Sequence, residues 1–175
     1  MVTLEMANGK QIKIKVFPHV APITSKNFLY LVSQGFYDNT LFHRVIEDFV
    51  IQGGCPNGDG WGNPGWKIKG EFKFNNFSNQ LMHLRGFVGM AREQRDPDSA
   101  GSQFYIVVKR ARALDGYYCI FGEVTEGMDV VDEIVSVETD DEDRPLEEQR
   151  VVKATLDPGE EVFAYKPEVI EIPKQ

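Results

Sequence analysis

Most residue patterns that would support covalent, metal-assisted or phosphate chemistry are missing or misplaced in this chain. His19, His43 and His83 have no second histidine three or four residues away, so no pair shares one helix face as a zinc helix needs. His43, Cys55 and Asp59 make a weak metal candidate, and Cys55 and Cys119 stand at no metal-ligand spacing. Neither G-x-S-x-G nor G-x-x-x-x-G-K-[ST] occurs. Gly60-Trp61-Gly62-Asn63-Pro64-Gly65 fits G-x-G-x-x-G, but a dinucleotide site needs a helix opening there. Pro64 and the strand-like alternation of Trp66 to Lys69 argue for a glycine-rich turn instead. Arg44, like any of the chain's arginines, could do electrostatic work, because a guanidinium is always charged and presents its N–H donors in a rigid fork. Read alone, it is a surface charge on a strand.

The elements that must position these residues are mostly strands. Val2, Leu4 and Met6 alternate with polar residues, as do Ile12, Ile14 and Val16, around Asn8-Gly9. That pattern predicts an antiparallel hairpin with a type I′ turn and one buried face. Pro22 opens a helix in which Phe28, Leu31 and Val32 form the apolar stripe, and Gly35 stops it. Strand-like runs follow at Leu41–Ile46, Phe49–Gln52, Gly86–Met90, Phe104–Val108, Cys119–Val124 and Val151–Leu156. A second helix is predicted over Met128–Val135, with Val130, Val131 and Ile134 buried. Many short strands and only two helices favour a β-barrel or sandwich over a βαβ repeat.

Composition narrows the classes. At 175 residues the chain is one domain's length, and such a domain buries roughly 70% of its unfolded surface. It needs neither disulfides nor a structural metal. No apolar stretch exceeds five residues, the length of Phe28 to Val32, far short of the ~20 residues of a spanning helix. The start lacks a signal-peptide apolar region, and two cysteines suit a reducing compartment, so the chain is expected to begin at Met1 and stay in the cytoplasm. Net charge is −8, but residues 1–120 carry +4 and residues 121–175 carry −12. Excess negative charge repels phosphate backbones, so nucleic acid is not an expected partner. ETDDEDRPLEEQ (138–149) reads as a solvated, mobile loop, and residues 158–175 as an extended tail over the surface. A monomer is the default.

FHRVIEDFVIQGGCPNGDGWGNPG (42–65), GFVGMAREQRDPDSAGSQFYIVV (86–108) and LDGYYCIFGEV (114–124) resemble, in that order, the cyclophilins, a family of peptidyl-prolyl cis–trans isomerases. The run Ala21 to Phe28, A-P-x-T-x-x-N-F, belongs to the same pattern, and the likeness reaches Leu156. The loop DPDSAGSQ and the short N-terminus are similar to single-domain cytoplasmic bacterial members. The resemblance implies a closed eight-stranded antiparallel β-barrel capped by two α-helices, spanning 1–157, with 158–175 as an extension packed on or near it. It implies isomerisation of X–Pro bonds in proline-containing peptides and unfolded chains, with no cofactor and no metal. Arg44 is then the catalytic arginine, and Gln52 holds substrate and orients it. Phe49, Val50, Tyr105 and Leu114 match the proline pocket. Ala91, Arg92 and Gln103 match the groove for the substrate backbone, and Tyr118 replaces a frequent histidine. Ser102, Phe104 and Phe121 are expected to be structural.

Several positions depart from the pattern. Val50 and Tyr105 stand where Met and Phe are usual, which predicts a reshaped pocket with a more polar floor. Ala113 replaces a tryptophan associated with cyclosporin, so weak cyclosporin binding is expected. Arg92 replaces Asn, and the loop Arg92–Ala100 looks slightly long. Cys55 replaces Asp and is expected to be an exposed or half-exposed thiol. The altered pocket keeps a second reading open: a proline-peptide-binding chaperone module with little turnover.

Overall fold

The computed structural model describes residues 1–172. β1 (Val2–Met6) and β2 (Gln11–Val16) lead into α1 (Pro22–Ser33), followed by β3 (Thr40–Leu41), β4 (Arg44–Ile46), β5 (Val50–Gly53) and β6 (Trp66–Lys67). Then come β7 (Phe87–Met90), β8 (Phe104–Val107), β9 (Ile120–Glu126), α2 (Met128–Val135), β10 (Arg150–Leu156) and β11 (Ile170–Glu171). The molecule is mainly β with two helices, as the sequence pattern predicts.

Nine strands form one antiparallel sheet in the order β3-β10-β1-β2-β9-β7-β8-β5-β4, and β6 pairs with β11 separately. The ladder therefore differs from a closed set of eight. Its end strands β3 and β4, separated by the buried Phe42 and His43, do not pair with each other. A single bridge, Leu41 to Cys55 just past β5, spans the gap.

The first hairpin also differs from a two-residue type I′ turn. Asn8 keeps a negative φ and only Gly9 is left-handed, at +80°. Met6 N–H donates to Lys10 O, and Gly9 N–H donates to Met6 O, both at 2.8 Å. Ala7, Asn8 and Gly9 thus make a three-residue loop, the next most common hairpin connection.

α1 begins at Pro22, where the missing N–H costs nothing. The next two free N–H groups, of Ile23 and Thr24, donate to the buried Glu71 carboxylate at 3.0 and 2.7 Å. A distant carboxylate thus satisfies the helix start, in the place its dipole favours. The helix ends at Gly35, whose φ of +67° suits a left-handed stop.

Inside the sheet, Phe28 of α1 packs on Tyr37, Phe104 and Phe121 at ring-centroid distances of 5.0 to 5.4 Å. Val2, Leu4, Ile12 and Ile14 of the first hairpin and Val130, Val131 and Ile134 of α2 join the same core. Phe104, Phe121 and Ser102 are buried as expected. Ser102 Oγ donates to Gly54 O at 2.8 Å, and Tyr37 Oη donates to Ser102 O at 2.9 Å.

The acidic segment is tied down rather than loose. Asp140 Oδ1 accepts the N–H groups of Glu142 and Arg144, both at 2.9 Å, and Thr139 bridges Pro145. Val45 N–H donates to Asp143 O at 2.8 Å, and Arg144 Nη1 donates to Gly58 O at 2.8 Å. Charge repulsion within the run is thus offset by local turn bonds and one arginine. The tail is not uniformly extended either: Glu160–Phe163 forms a 3-10 turn, and Ile170–Glu171 adds a strand to β6. Residues 173–175 of the predicted tail lie outside the described residues.

Candidate functional site

Strand alternation sorts β5 and β8 onto two faces. Ile51, Phe104 and Ile106 point into the main core, while Val50, Tyr105 and Val107 join Ala111 in a second apolar cluster on the other side. Phe49, Ala91, Leu114 and Tyr118 pack around that second cluster. Cross-strand register then sets one row: Arg44 faces Gln52, Gln52 faces Tyr105, and Tyr105 faces Gly89. Directly opposed residues share a face, so a cation, an amide and a ring line up across three strands beside an apolar cluster.

That row floors an open cavity of about 530 Å³. Arg44, Phe49, Val50, Gln52, Ala91, Arg92, Tyr105, Leu114 and Tyr118 all line it, nine of the ten residues singled out above. Gln103, the tenth, lines the adjoining cavity and reaches the first through Gln52. The link is a relay of side-chain amides. Arg44 Nη1 donates to Gln52 Oε1 at 3.3 Å, and Gln52 Nε2 donates to Gln103 Oε1 at 3.0 Å. Gln103 Nε2 in turn donates to Gly60 O and Gly62 O at 2.7 and 3.1 Å. The relay fixes the Arg44 fork at the pocket edge and ties it to the glycine-rich turn.

The Tyr105 hydroxyl does not make the pocket floor polar. It lies 2.8 Å from His83 Nε2, and His83 Nδ1 lies 3.1 Å from Asp115 Oδ1. Burial lowers the His83 pKa and raises the Tyr105 pKa well above the usual phenol range, so both are neutral at pH 7. Asp115 can only accept, so the proton sits on Nδ1 and Tyr105 donates to Nε2. Burial alone would push the Asp115 carboxyl up, but bonds from Arg110 and from the His83 backbone and ring hold it below the usual range. Every polar group behind the ring is thus paired, and the ring presents carbon to the cavity. Gly89 makes room for it, since a Cβ there would overlap the phenol end.

Cys55 is fully buried, contrary to the expectation of an exposed thiol. Gly54, at φ +83°, turns the chain inward, and the Leu41 bridge holds it there. The Cys55 sulfur accepts Gly62 N–H at 3.2 Å and its S–H faces Asp59 Oδ1 at 3.4 Å. It anchors the glycine-rich turn from below.

Spacing alone misses further lining residues. His43, Asp59, Gly60, Trp61, Gln94, Glu142 and Arg144 also face the first cavity. Trp61 is 87% exposed, the most exposed large apolar side chain among the described residues. Asp143 Oδ2 stands 4.0 Å from Arg44 Nε. Burial, with Arg144 and Arg44 adding to it, lowers the His43 pKa and keeps that imidazole neutral beside the cations. An always-charged fork, a neutral imidazole and an apolar hollow suit non-covalent stabilisation of a bound polar group more than proton transfer.

Residues 1–156 match the family model for cyclophilin type peptidyl-prolyl cis-trans isomerases. The chain belongs to that family. A peptidyl-prolyl cis-trans isomerase of Arabidopsis thaliana is 39% identical over 156 residues, covering 89% of this chain and 92% of that one. The peptidyl-prolyl cis-trans isomerase-like 1 of Neurospora crassa is 41% identical over 143 residues, covering 82% and 86%. The crystal structure of a Cryptosporidium parvum cyclophilin in the presence of the dipeptide Ala-Pro has a TM-score of 0.81 and 30% identity, covering 90% of this chain and 99% of that one. The cyclophilin match stops at residue 156, so β11 and the segment leading to it lie beyond it.

Proposed function

We infer that this cyclophilin accelerates rotation about X–Pro bonds in flexible chains, with the proline ring seated against Phe49, Val50, Tyr105 and Leu114. The single observation that carries this is the Arg44 guanidinium, held by Gln52 at the edge of that apolar hollow. Rotation breaks amide resonance, with a barrier of about 18–20 kcal/mol. No bond is made and no proton moves. The catalyst has only to bind the twisted amide better than either planar form, each ~1.4 kcal/mol of preference giving about tenfold. At the twisted geometry the proline nitrogen regains a lone pair. A donor already fixed beside it gains strength only there.

In this reading Arg44 is that donor, Gln52 orients it, and Ala91, Arg92, Gln103 and Tyr118 carry the flanking backbone. Residues 1–157 are the catalytic domain, built as a barrel whose seam is the Leu41–Cys55 bridge, and 158–175 its extension. The protein works as a monomer. Ala113 stands exposed on the 3-10 turn Arg112–Leu114 and presents only a methyl, which supports weak cyclosporin binding.

The test is exchange NMR on a short Ala-Pro peptide with wild type and Arg44→Ala. Loss of one preorganised donor should cost about 10²- to 10³-fold in turnover, with peptide affinity held within a few-fold. Binding without faster exchange in the wild type would move the assignment to a chaperone groove, and would point to Val50 and Tyr105 as the cause.

A further inference from the structure

Beyond Leu156 the chain runs past the N-terminus and α1 to reach β6. The Met1 ammonium pairs with Glu160 at 2.9 Å, Lys26 Nζ lies 4.6 Å from the Tyr165 ring centre, and Lys166 Nζ lies 4.6 Å from that of Trp66. Pro167 is buried. β11 then pairs antiparallel with β6, and Ile172 N–H reaches Gly65 O at 3.4 Å. This brings Ile172 to the wall of the second cavity, about 390 Å³, which Trp61 and Ala91 also line. The two cavities share Gln52, Gly60, Trp61, Ala91 and Arg92, so they adjoin along a common wall.

Most polar groups around the second cavity are already engaged, the exposed Glu93 carboxylate, 3.9 Å from Lys67 Nζ, being an exception. Lys67 Nζ pairs with Asp96 at 3.1 Å. The Arg92 guanidinium donates to the carbonyls of Tyr117, Glu93 and Gln94 and lies over the rings of Phe72 and Tyr118. Ser99 Oγ donates to Asp96 O at 2.6 Å, and both Gln103 Nε2 hydrogens go to Gly60 and Gly62 carbonyls. An entering side chain therefore meets the indole of Trp61 and the aliphatic Ile172 as apolar surfaces, with the Glu93 carboxylate among the other lining groups.

We propose that the C-terminal segment is a specificity element, in which Ile172, together with Trp61, selects an apolar side chain next to the substrate proline. It rests on the isomerase reading above. A peptide whose proline fills the first cavity runs along the shared wall and places a neighbouring residue in the second. The burial gained there favours aliphatic or aromatic residues over charged ones.

The test uses the full chain and a set of peptides with one fixed proline. A single variable position is moved from three residues before it to three after, carrying Leu, Lys or Glu in turn. The readout is the ratio of kcat/KM between Leu and Lys peptides within each protein, which a uniform loss of activity does not move. Wild type should prefer Leu at one position by about tenfold, the scale of one or two methylenes in an apolar pocket. Ile172→Ala should shrink that ratio, Ile172→Asp should reverse it toward Lys, and Ile172→Pro, which removes the N–H bonded to Gly65, should also shrink it. A ratio unchanged in all three variants, or a wild-type preference for Glu, overturns the proposal and leaves the isomerase reading standing. A wild type that turns over no peptide, plain Ala-Pro included, overturns both.

Discussion

Replacing Tyr105 by Phe removes one oxygen and keeps the ring that lines the pocket. The His83 side chain behind it is fully buried, with Nδ1 committed to Asp115 and Nε2 to the lost hydroxyl. No solvent reaches that nitrogen, so the variant leaves a buried acceptor unpaired, at about 1–3 kcal/mol. For a domain of this size each kcal/mol lowers the melting temperature by about 2–4 °C, giving a fall of roughly 2–12 °C. Turnover should change little, because the hydroxyl points away from the cavity and the face toward substrate is still carbon. Calorimetry and peptide-exchange NMR on the same preparations separate the two quantities. A loss of turnover of tenfold or more with unchanged stability would refute the argument, since the hydroxyl would then be acting on substrate. A neutral effect on both would mean that water or a shifted ring repairs the bond at no cost.

Three further outcomes follow from the same geometry. Because burial holds the His83 pKa below 6.5 in the folded state, the unfolded chain binds more protons once the pH falls below that value, and stability should drop between pH 6.5 and the lower folded pKa. Comparing wild type with His83→Gln by denaturation at pH 7.5 and 5 checks this, and an equal drop in both would assign the loss to carboxylates. Gly54→Ala puts a Cβ 2.5 Å from Ser102 O in a left-handed backbone, so a loss of about 2–4 kcal/mol is expected in urea unfolding, whereas under 1 kcal/mol would show that the turn relaxes. Cyclosporin should bind weakly, and a sub-micromolar dissociation constant by calorimetry would contradict the role given to Ala113.

The legible parts of this molecule were those where one physical requirement dominates a stretch of sequence. Alternation fixed β1 and β2 because each has a single buried face, and the apolar stripe of Val130, Val131 and Ile134 located α2. The type I′ turn failed at Asn8 because a three-residue loop satisfies Met6, Gly9 and Lys10 without asking Asn8 for a positive φ. Periodicity cannot orient β8, whose four residues are all buried. It takes the register with β5 and β7 to show that Phe104 and Ile106 face the core while Tyr105 and Val107 face the groove. The site residues taken from the motif come together because they sit on paired strands, where neighbours are set by register.

What stayed hidden arrives at the site from far along the chain. The 138–149 run looks like a solvated charge cluster, yet Asp143 and Arg144 bond to Val45 and to Gly58, and no local pattern encodes such a pairing. Trp61 looks like a stray aromatic in a glycine turn until Gln103 and Cys55 pin that turn against the groove. His83 and Tyr105 are 22 residues apart, and only the fold makes them one buried pair. The Tyr105 hydroxyl shows the consequence. Burial at the pocket floor predicts that it must find a partner, and the sequence contains that partner, but only the packing of the loop before β7 against β8 says that the partner lies behind the pocket rather than in it.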